Sequence, residues 1–187
     1  MVLPVVLVEG ESDRLALLAA ARVRGLASLS THVDVVSLGG ITNLRSWLSR
    51  RNPAVPVLGL YDAAELRYVL GALVASGLLP EGVTDPAAVA ELGFFGCDPD
   101  LEAEVIRAAG VDFVLETLAA RGELALFRTF QGQPAQRIRS VEAQLHRFAG
   151  TASGRKARFA ADVVAALPAD RLPDPLVALL DVVTGPV

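Results

Sequence analysis

The chain has 187 residues, 52% hydrophobic, 20% charged and 5% aromatic, with 16 Gly, 11 Pro, one Cys and a formal net charge of −4. A chain this apolar can bury enough surface to offset the entropy of ordering, which excludes general disorder and suggests one compact domain with an appendage at most. The longest uncharged stretch, Tyr68 to Pro80, is 13 residues, short of the ~18–20 apolar residues of a spanning helix, and Cys97, His32 and His146 supply neither a disulfide framework nor a Cys/His zinc site.

Met1 to Val8 carries no basic residue and runs straight into Glu9, so it reads as a first strand, not a secretory leader, and the expected compartment is the cytoplasm. The Val-rich run Leu3 to Val8 fits a buried parallel strand. Ser12 is placed to cap the helix that follows, whose apolar positions Leu15, Leu18 and Ala19 recur at helical spacing up to Gly25. Val33 to Leu38 reads as a second strand closed by Gly39-Gly40, and Thr42 to Arg51 as a short helix. Pro53 and Pro56 introduce a third strand, Val57 to Tyr61, ending at Asp62, with a helix from about Ala64 to Ser76. Leu78 to Pro86 reads as a loop, Leu92 to Cys97 as a fourth strand, and Asp98-Pro99 as the opening of a helix through Ala109. This order predicts an α/β fold, a four-stranded parallel (Rossmann-like) sheet with helices on both faces. Beyond Val111 the periodicity is helical throughout, over about 112–121, 123–130, 134–149, 153–167 and 174–183. The expected organisation is an α/β domain over 1–110 and a C-terminal helical extension over 111–187 packed on it.

The net charge conceals an uneven distribution. Residues 1–120 hold 8 basic and 15 acidic groups, residues 121–158 hold 8 and 2, and residues 159–187 hold 1 and 4. The basic segment, which includes Arg137, Arg139, Arg155 and Arg158, reads either as a phosphate-backbone footprint or as solvated helix faces on a chain in which 16 of 17 basic residues are Arg. Lys156 is the only lysine.

Three acidic clusters fall just after predicted strands: Glu9 with Asp13, Asp62 with Glu65, and Asp98 with Asp100, Glu102 and Glu104. In a parallel sheet the carboxyl ends of the strands share one rim, where open α/β folds place their sites. Carboxylates converging there repel one another unless a hard cation such as Mg²⁺ or Mn²⁺ lies between them. The bland alternative is that Asp13, Asp100 and Glu102 merely favour helix N-termini.

The strings Val5-Val-Leu-Val-Glu-Gly-Glu-Ser-Asp13, Val35-Val-Ser-Leu-Gly-Gly40 and Leu58-Gly-Leu-Tyr-Asp62 resemble the TOPRIM domain, the metal-binding fold of topoisomerases, bacterial primases and some nucleases. Cys97-Asp-Pro-Asp-Leu-Glu-Ala-Glu-Val-Ile-Arg-Ala-Ala-Gly110 and Gly154-Arg-Lys156-Ala-Arg-Phe-Ala160 are similar to segments of the TOPRIM domain of OLD-family (overcoming lysogenization defect) nucleases, and the resemblance covers roughly residues 3–165. It implies a Mg²⁺- or Mn²⁺-dependent phosphodiester hydrolase, a DNA endonuclease or nickase, with one or two ions held by Glu9, Asp13, Asp62 and Glu102, and with Glu65 and Asp100 as further ligands or supports. Glu9 and Lys156 would be its catalytic residues, Lys156 facing the scissile phosphate, and Arg137, Arg139, Arg155 and Arg158 would bind nucleic acid, DNA before RNA. The family usually has Asp-x-Asp after the third strand, whereas this chain has Asp62-Ala63-Ala64-Glu65. One metal is therefore expected to be weakly held or absent, with Glu65 either compensating or serving as a surface helix residue.

Gly150-Thr-Ala-Ser-Gly-Arg-Lys156-Ala157 lacks the spacing of a P-loop, and no Ser or Thr follows its lysine. The resemblance is thus to the TOPRIM part without the ATPase domain of complete OLD enzymes. The alternative function is a catalytically weak nucleic-acid-binding or regulatory module acting with a separate ATPase or nuclease partner; a homodimer stays open, and no membrane partner is expected. His32 reads as a capping or surface residue and His146 as part of a solvated basic face.

Overall fold

Four short β-branched and aromatic runs meet apolar surface on both sides and form one parallel sheet in the order β2-β1-β3-β4. The computed structural model describes residues 3–26 and 28–185; Met1, Val2, Ala27, Pro186 and Val187, which fall within the spans 1–110 and 111–187 expected above, lie outside the described residues. The strands are β1 (Val5–Val8), β2 (Asp34–Ser37), β3 (Val57–Asp62) and β4 (Phe94–Cys97). Because side chains alternate across a strand, Val6 and Val8 of β1 face one apolar cluster and Leu7 the other. Gly59 in β3 leaves room for a neighbour, since a Cβ there would stand 2.6 Å from the Phe94 ring.

Helix α1 (Glu11–Val23) follows β1, α2 (Leu44–Arg50) follows β2, α3 (Leu66–Ala75) and α4 (Pro86–Glu91) lie between β3 and β4, and α5 (Leu101–Ala109) follows β4. The remaining helices are α6 (Val111–Ala120), α7 (Leu124–Gln131), α8 (Pro134–Arg137), α9 (Val141–Ala149), α10 (Ser153–Ala166) and α11 (Asp174–Thr184). One face of the sheet packs with Leu17 and Ala20 of α1, Val105 of α5 and Ala160 and Val163 of α10. The opposite face packs with Leu44 and Leu48 of α2 and Val69 and Leu73 of α3. Helices on both faces match the sequence expectation.

The most extensive helix contact is between α1 and α10. Small residues allow it: Ala16, Ala20 and Ala21 of α1 and Ala160 of α10 are all fully buried, so the backbones approach without side chains holding them apart. The later helices share this core, since Phe127, Leu145 and Phe148 belong to the same cluster as Val6 and Val8. The rings of Phe127 and Phe148 meet edge-on at 5.2 Å, a favoured aromatic geometry.

Three local details depart from expectation. Asp85 accepts a hydrogen bond from the Ala87 N–H at 2.9 Å and Pro86 takes the first helical position, so helix α4 begins where the loop ends. The helix expected over 134–149 is broken, because Ser140 accepts from the Ala143 N–H and starts α9 afresh. Ser12 is not the cap of α1: Gly10 occupies that position, and Asp13 reaches back to accept from its N–H at 2.8 Å. Among the described residues no helix is long and apolar enough to cross a membrane.

Candidate metal centre

The carboxyl ends of β1 and β3 set the first two carboxylates side by side. Glu9 leaves β1, and its carbonyl accepts from the Gly40 N–H at 3.0 Å. Gly39 and Gly40 adopt φ of +69° and +123° to make that approach, a conformation that side-chain-bearing residues rarely take. Asp62 is the last residue of β3 and stands in register with Cys97 of the neighbouring strand. Ala63–Glu65 then form a single 3₁₀ turn, in which side chains three apart eclipse one another. Glu65 is thereby returned beside Asp62, and Glu9, Asp62 and Glu65 each offer a carboxylate oxygen within 4.8 Å of the others. Oε2 of Glu65 is buried and has no hydrogen-bond partner.

A cleft of about 480 Å³ opens beside this triangle, with Glu9 and Asp62 in its lining. Glu9, Asp13, Asp62, Asp100 and Glu102 line it on the sheet side, while His146 of α9 and Ser153 and Lys156 of α10 line its other wall. The packing of α10 along α1 is what brings Lys156 here, so that the first turns of both helices border the same space. Lys156 is exposed and, among the described residues, makes no ion pair.

The crowding shows in the protonation of the acids. Burial first, then the neighbouring Asp13, Asp100, Glu9 and Glu65 carboxylates, push Asp62 up to about 7. Burial and the facing Glu9 push Glu65 up to about 7. Asp13 is raised to about 6 by burial, with Glu102 and Glu9 adding to it. Oxygen-only donors, mutual repulsion and an orphaned buried carboxylate oxygen are what a hard divalent cation relieves, so this donor set fits a divalent metal.

The expected ligand set is only partly brought together. Glu9 and Asp62 meet in the triangle; Asp13 and Glu102 line the same cleft but, among the described residues, belong to no such triangle. Glu102 Oε1 accepts from the Ser12 hydroxyl at 2.9 Å. Asp100 caps α5 by accepting from the Ala103 N–H and holds Nε2 of His146 at 2.7 Å, so His146 is half-buried and anchored and does not sit on a solvated face. Glu104 and Glu11 are turned to local partners, Arg107 and Arg14. Glu65 does not project as a surface helix residue, and the signal for it was the three-residue spacing from Asp62.

Of the four arginines singled out by charge, Arg155 is engaged internally. Its Nε donates to Glu123 at 3.0 Å, its guanidinium lies 3.9 Å from the centre of the Phe148 ring, and its side chain is 10% exposed. Arg137 and Arg139 are exposed and donate to the local carbonyls of Gly132 and Ala135. Arg158 is exposed beside Asp162.

The parallel sheet, the acidic rim and the helices on both faces define a doubly wound α/β module with a carboxylate cluster at the carboxyl ends of its strands. No protein-family model and no curated protein matches the sequence. Solved structures do: the chain has the fold of the C-terminal region of OLD proteins. Against that region of the Burkholderia pseudomallei OLD protein the TM-score is 0.69 at 20% identity, covering 98% of each chain. Against the Xanthomonas campestris pv. campestris OLD protein the TM-score is 0.68 at 22% identity, covering 96% of this chain and 93% of that one. None of the described residues forms an ATPase domain beside this fold.

Proposed function

We propose that the cleft is a divalent-metal centre for phosphodiester hydrolysis, acting on nucleic acid and on DNA before RNA, in the cytoplasm. The observation that carries this reading is the triangle of Glu9, Asp62 and Glu65 oxygens within 4.8 Å of one another, of which Glu9 and Asp62 line a cleft whose other wall bears Lys156. In it, residues 1–110 supply the carboxylates and residues 111–187 supply the cations.

Glu9, Asp62 and Glu65 would hold one ion, with Asp13 and Glu102 able to hold a second on the same rim and Asp100 supporting them from the head of α5. Bound Mg²⁺ or Mn²⁺ supplies Lewis acidity and an activated water at neutral pH. Lys156 presents a compact positive charge to the phosphoryl oxygens, where charge accumulates as the bond breaks. Arg139 and Arg158, exposed on the helical side, together with Arg137, would hold the flanking phosphates.

The test is nicking of supercoiled plasmid by purified protein with Mn²⁺. Glu9→Ala and Lys156→Ala should each lower the rate by about 10²-fold or more, the size typical of losing one preorganised charge stabiliser. Equal inertness of wild type and variants would remove the hydrolase reading. A second reading, a binding or regulatory module working with a separate ATPase or nuclease, is favoured by Ala64, which places a methyl group where the resemblance expects a second aspartate. Salt-dependent DNA binding without cleavage, unaffected by Glu9→Ala, would select it.

A further inference from the structure

A second groove, of about 910 Å³, runs beside the turn that joins Asp62 to Glu65. It is lined by Arg45 of α2, by Ala63 and Ala64 of the turn that joins Asp62 to Glu65, by Arg67 and Tyr68 of α3, and by Thr84. Its two helices pack on the sheet face opposite α1 and α10, so it lies across the rim from Lys156. We propose that this groove holds the sugar-phosphate backbone of a nucleic acid, on the far side of the metal centre from Lys156. The proposal rests on the cleft being a phosphodiester site and extends it by naming a track that no charge block in the sequence marked.

Charge is the first argument. Arg45 and Arg67 are exposed and, among the described residues, neither is ion-paired, and no acidic side chain lines the groove. Ala63 and Ala64, at the end of the groove between Asp62 and Glu65, are exposed and uncharged. An acidic cleft repels a polyanion, so a phosphodiester reaches it only if cations hold the chain on either side. The α10 side has Lys156 and Arg158; Arg45 and Arg67 are the counterpart on the α3 side.

Fixed geometry is the second argument. The Tyr68 hydroxyl donates to the Thr42 carbonyl at 2.7 Å, tying α3 to the segment leading into α2 and holding the groove's walls together. Tyr68 is 37% exposed, and no other large apolar side chain of this groove is exposed. An apolar protein partner would find little to bury here, whereas a backbone needs only cations and a ring beside it.

The test is equilibrium binding of fluorescein-labelled DNA duplex, DNA single strand and RNA of equal length, in Ca²⁺ and across a salt series. The double variant Arg45→Ala/Arg67→Ala should bind its preferred probe about tenfold more weakly and flatten the log–log salt slope by about 2, one unit per lost phosphate contact. Arg22→Ala, an exposed arginine on α1, should bind like wild type. Melting temperatures of all three proteins establish that the exposed substitutions leave the fold intact. If the double variant binds all probes as Arg22→Ala does, the groove proposal is overturned while plasmid nicking still stands as the measure of the cleft. If wild type binds none of the probes in a salt-dependent manner, the groove proposal fails too, and the nicking assay decides the cleft on its own.

Discussion

Nε2 of His146 lies 2.7 Å from Oδ2 of Asp100, joining α9 to the head of α5 at the wall of the metal cleft. The same aspartate caps α5 through its other oxygen, Oδ1, on the Ala103 N–H at 2.9 Å. Asp100→Ala should therefore cost about 2 kcal/mol, roughly 1 for the lost cap and the rest for the lost imidazole contact. His146→Ala should cost about 1 kcal/mol, and a double-mutant cycle should return a coupling of about 0.5–1 kcal/mol. Urea unfolding of the four proteins measures this; additive losses would mean that the contact contributes nothing.

Glu65 is the carboxylate whose role depends most on a single turn. Because the 3₁₀ turn eclipses it with Asp62, Glu65→Gln keeps the shape and removes one charge from the triangle. Its Mn²⁺ affinity, measured by calorimetric titration, should fall by at least about tenfold. Glu81→Gln, on the exposed loop before α4, should bind as wild type does. Wild-type affinity in Glu65→Gln would place the ion elsewhere on the rim.

Much of this architecture was legible because parallel strands are buried on both faces. Their runs read directly as Val-rich segments, and the acids just beyond them, Glu9 and Asp62, fall on a rim that the topology dictates. Glu65 was harder, since periodicity extends α3 back through Ala64 and cannot show that the first three residues tighten into a 3₁₀ turn. The break at Ser140 was obscured in the same way, by helical spacing that runs on across two separately capped helices. Lys156 stood out in the sequence only as the lone lysine, and its role came from resemblance, because its place in the same cleft as Asp13 depends on the packing of α1 against α10, a contact between distant segments that no local pattern encodes. The groove of Arg45 and Arg67 was invisible to a running count of charge, since the two lie on different helices in an acidic stretch.

Arg155 and Arg158 stand three residues apart on α10 and should behave oppositely. Arg155 is packed over Phe148 and bonded to Glu123 and Thr151, so Arg155→Ala should lower stability by about 1–2 kcal/mol through lost cation–π and packing contacts. Arg158 is exposed, and Arg158→Ala should change stability by less than about 0.5 kcal/mol. It should instead weaken DNA binding and reduce the log–log salt slope by about 1. Thermal unfolding beside a binding isotherm separates the two; equal destabilisation would contradict their different burial.

Protonation of the rim gives a prediction whose sign differs from that of ordinary acid denaturation. Asp62 and Glu65 are raised to about 7 and Asp13 to about 6, against ordinary values of 3.8 for aspartate and 4.5 for glutamate. A carboxyl raised on folding binds its proton more tightly in the folded state, so its stabilising contribution is full below about pH 4 and is lost as pH rises through 6 to 7. The metal-free protein should therefore melt at a lower temperature at pH 8 than at pH 5. A divalent cation binds the deprotonated set, so the order should reverse when it is added. At a hundredfold excess over its dissociation constant it contributes about 2.7 kcal/mol, which for a chain of this size raises the melting temperature by roughly 5–10 °C at pH 8, and by much less at pH 5. Replacing the three triangle residues, as Glu9→Gln/Asp62→Asn/Glu65→Gln, should abolish the Mn²⁺ shift and reduce the pH dependence to the part that Asp13 contributes. Differential scanning calorimetry at the two pH values, with and without Mn²⁺, tests the whole arrangement: a metal-free melting temperature that rises from pH 5 to 8, or a Mn²⁺ shift equal at both, would show that the triangle is not the coupled site these distances describe.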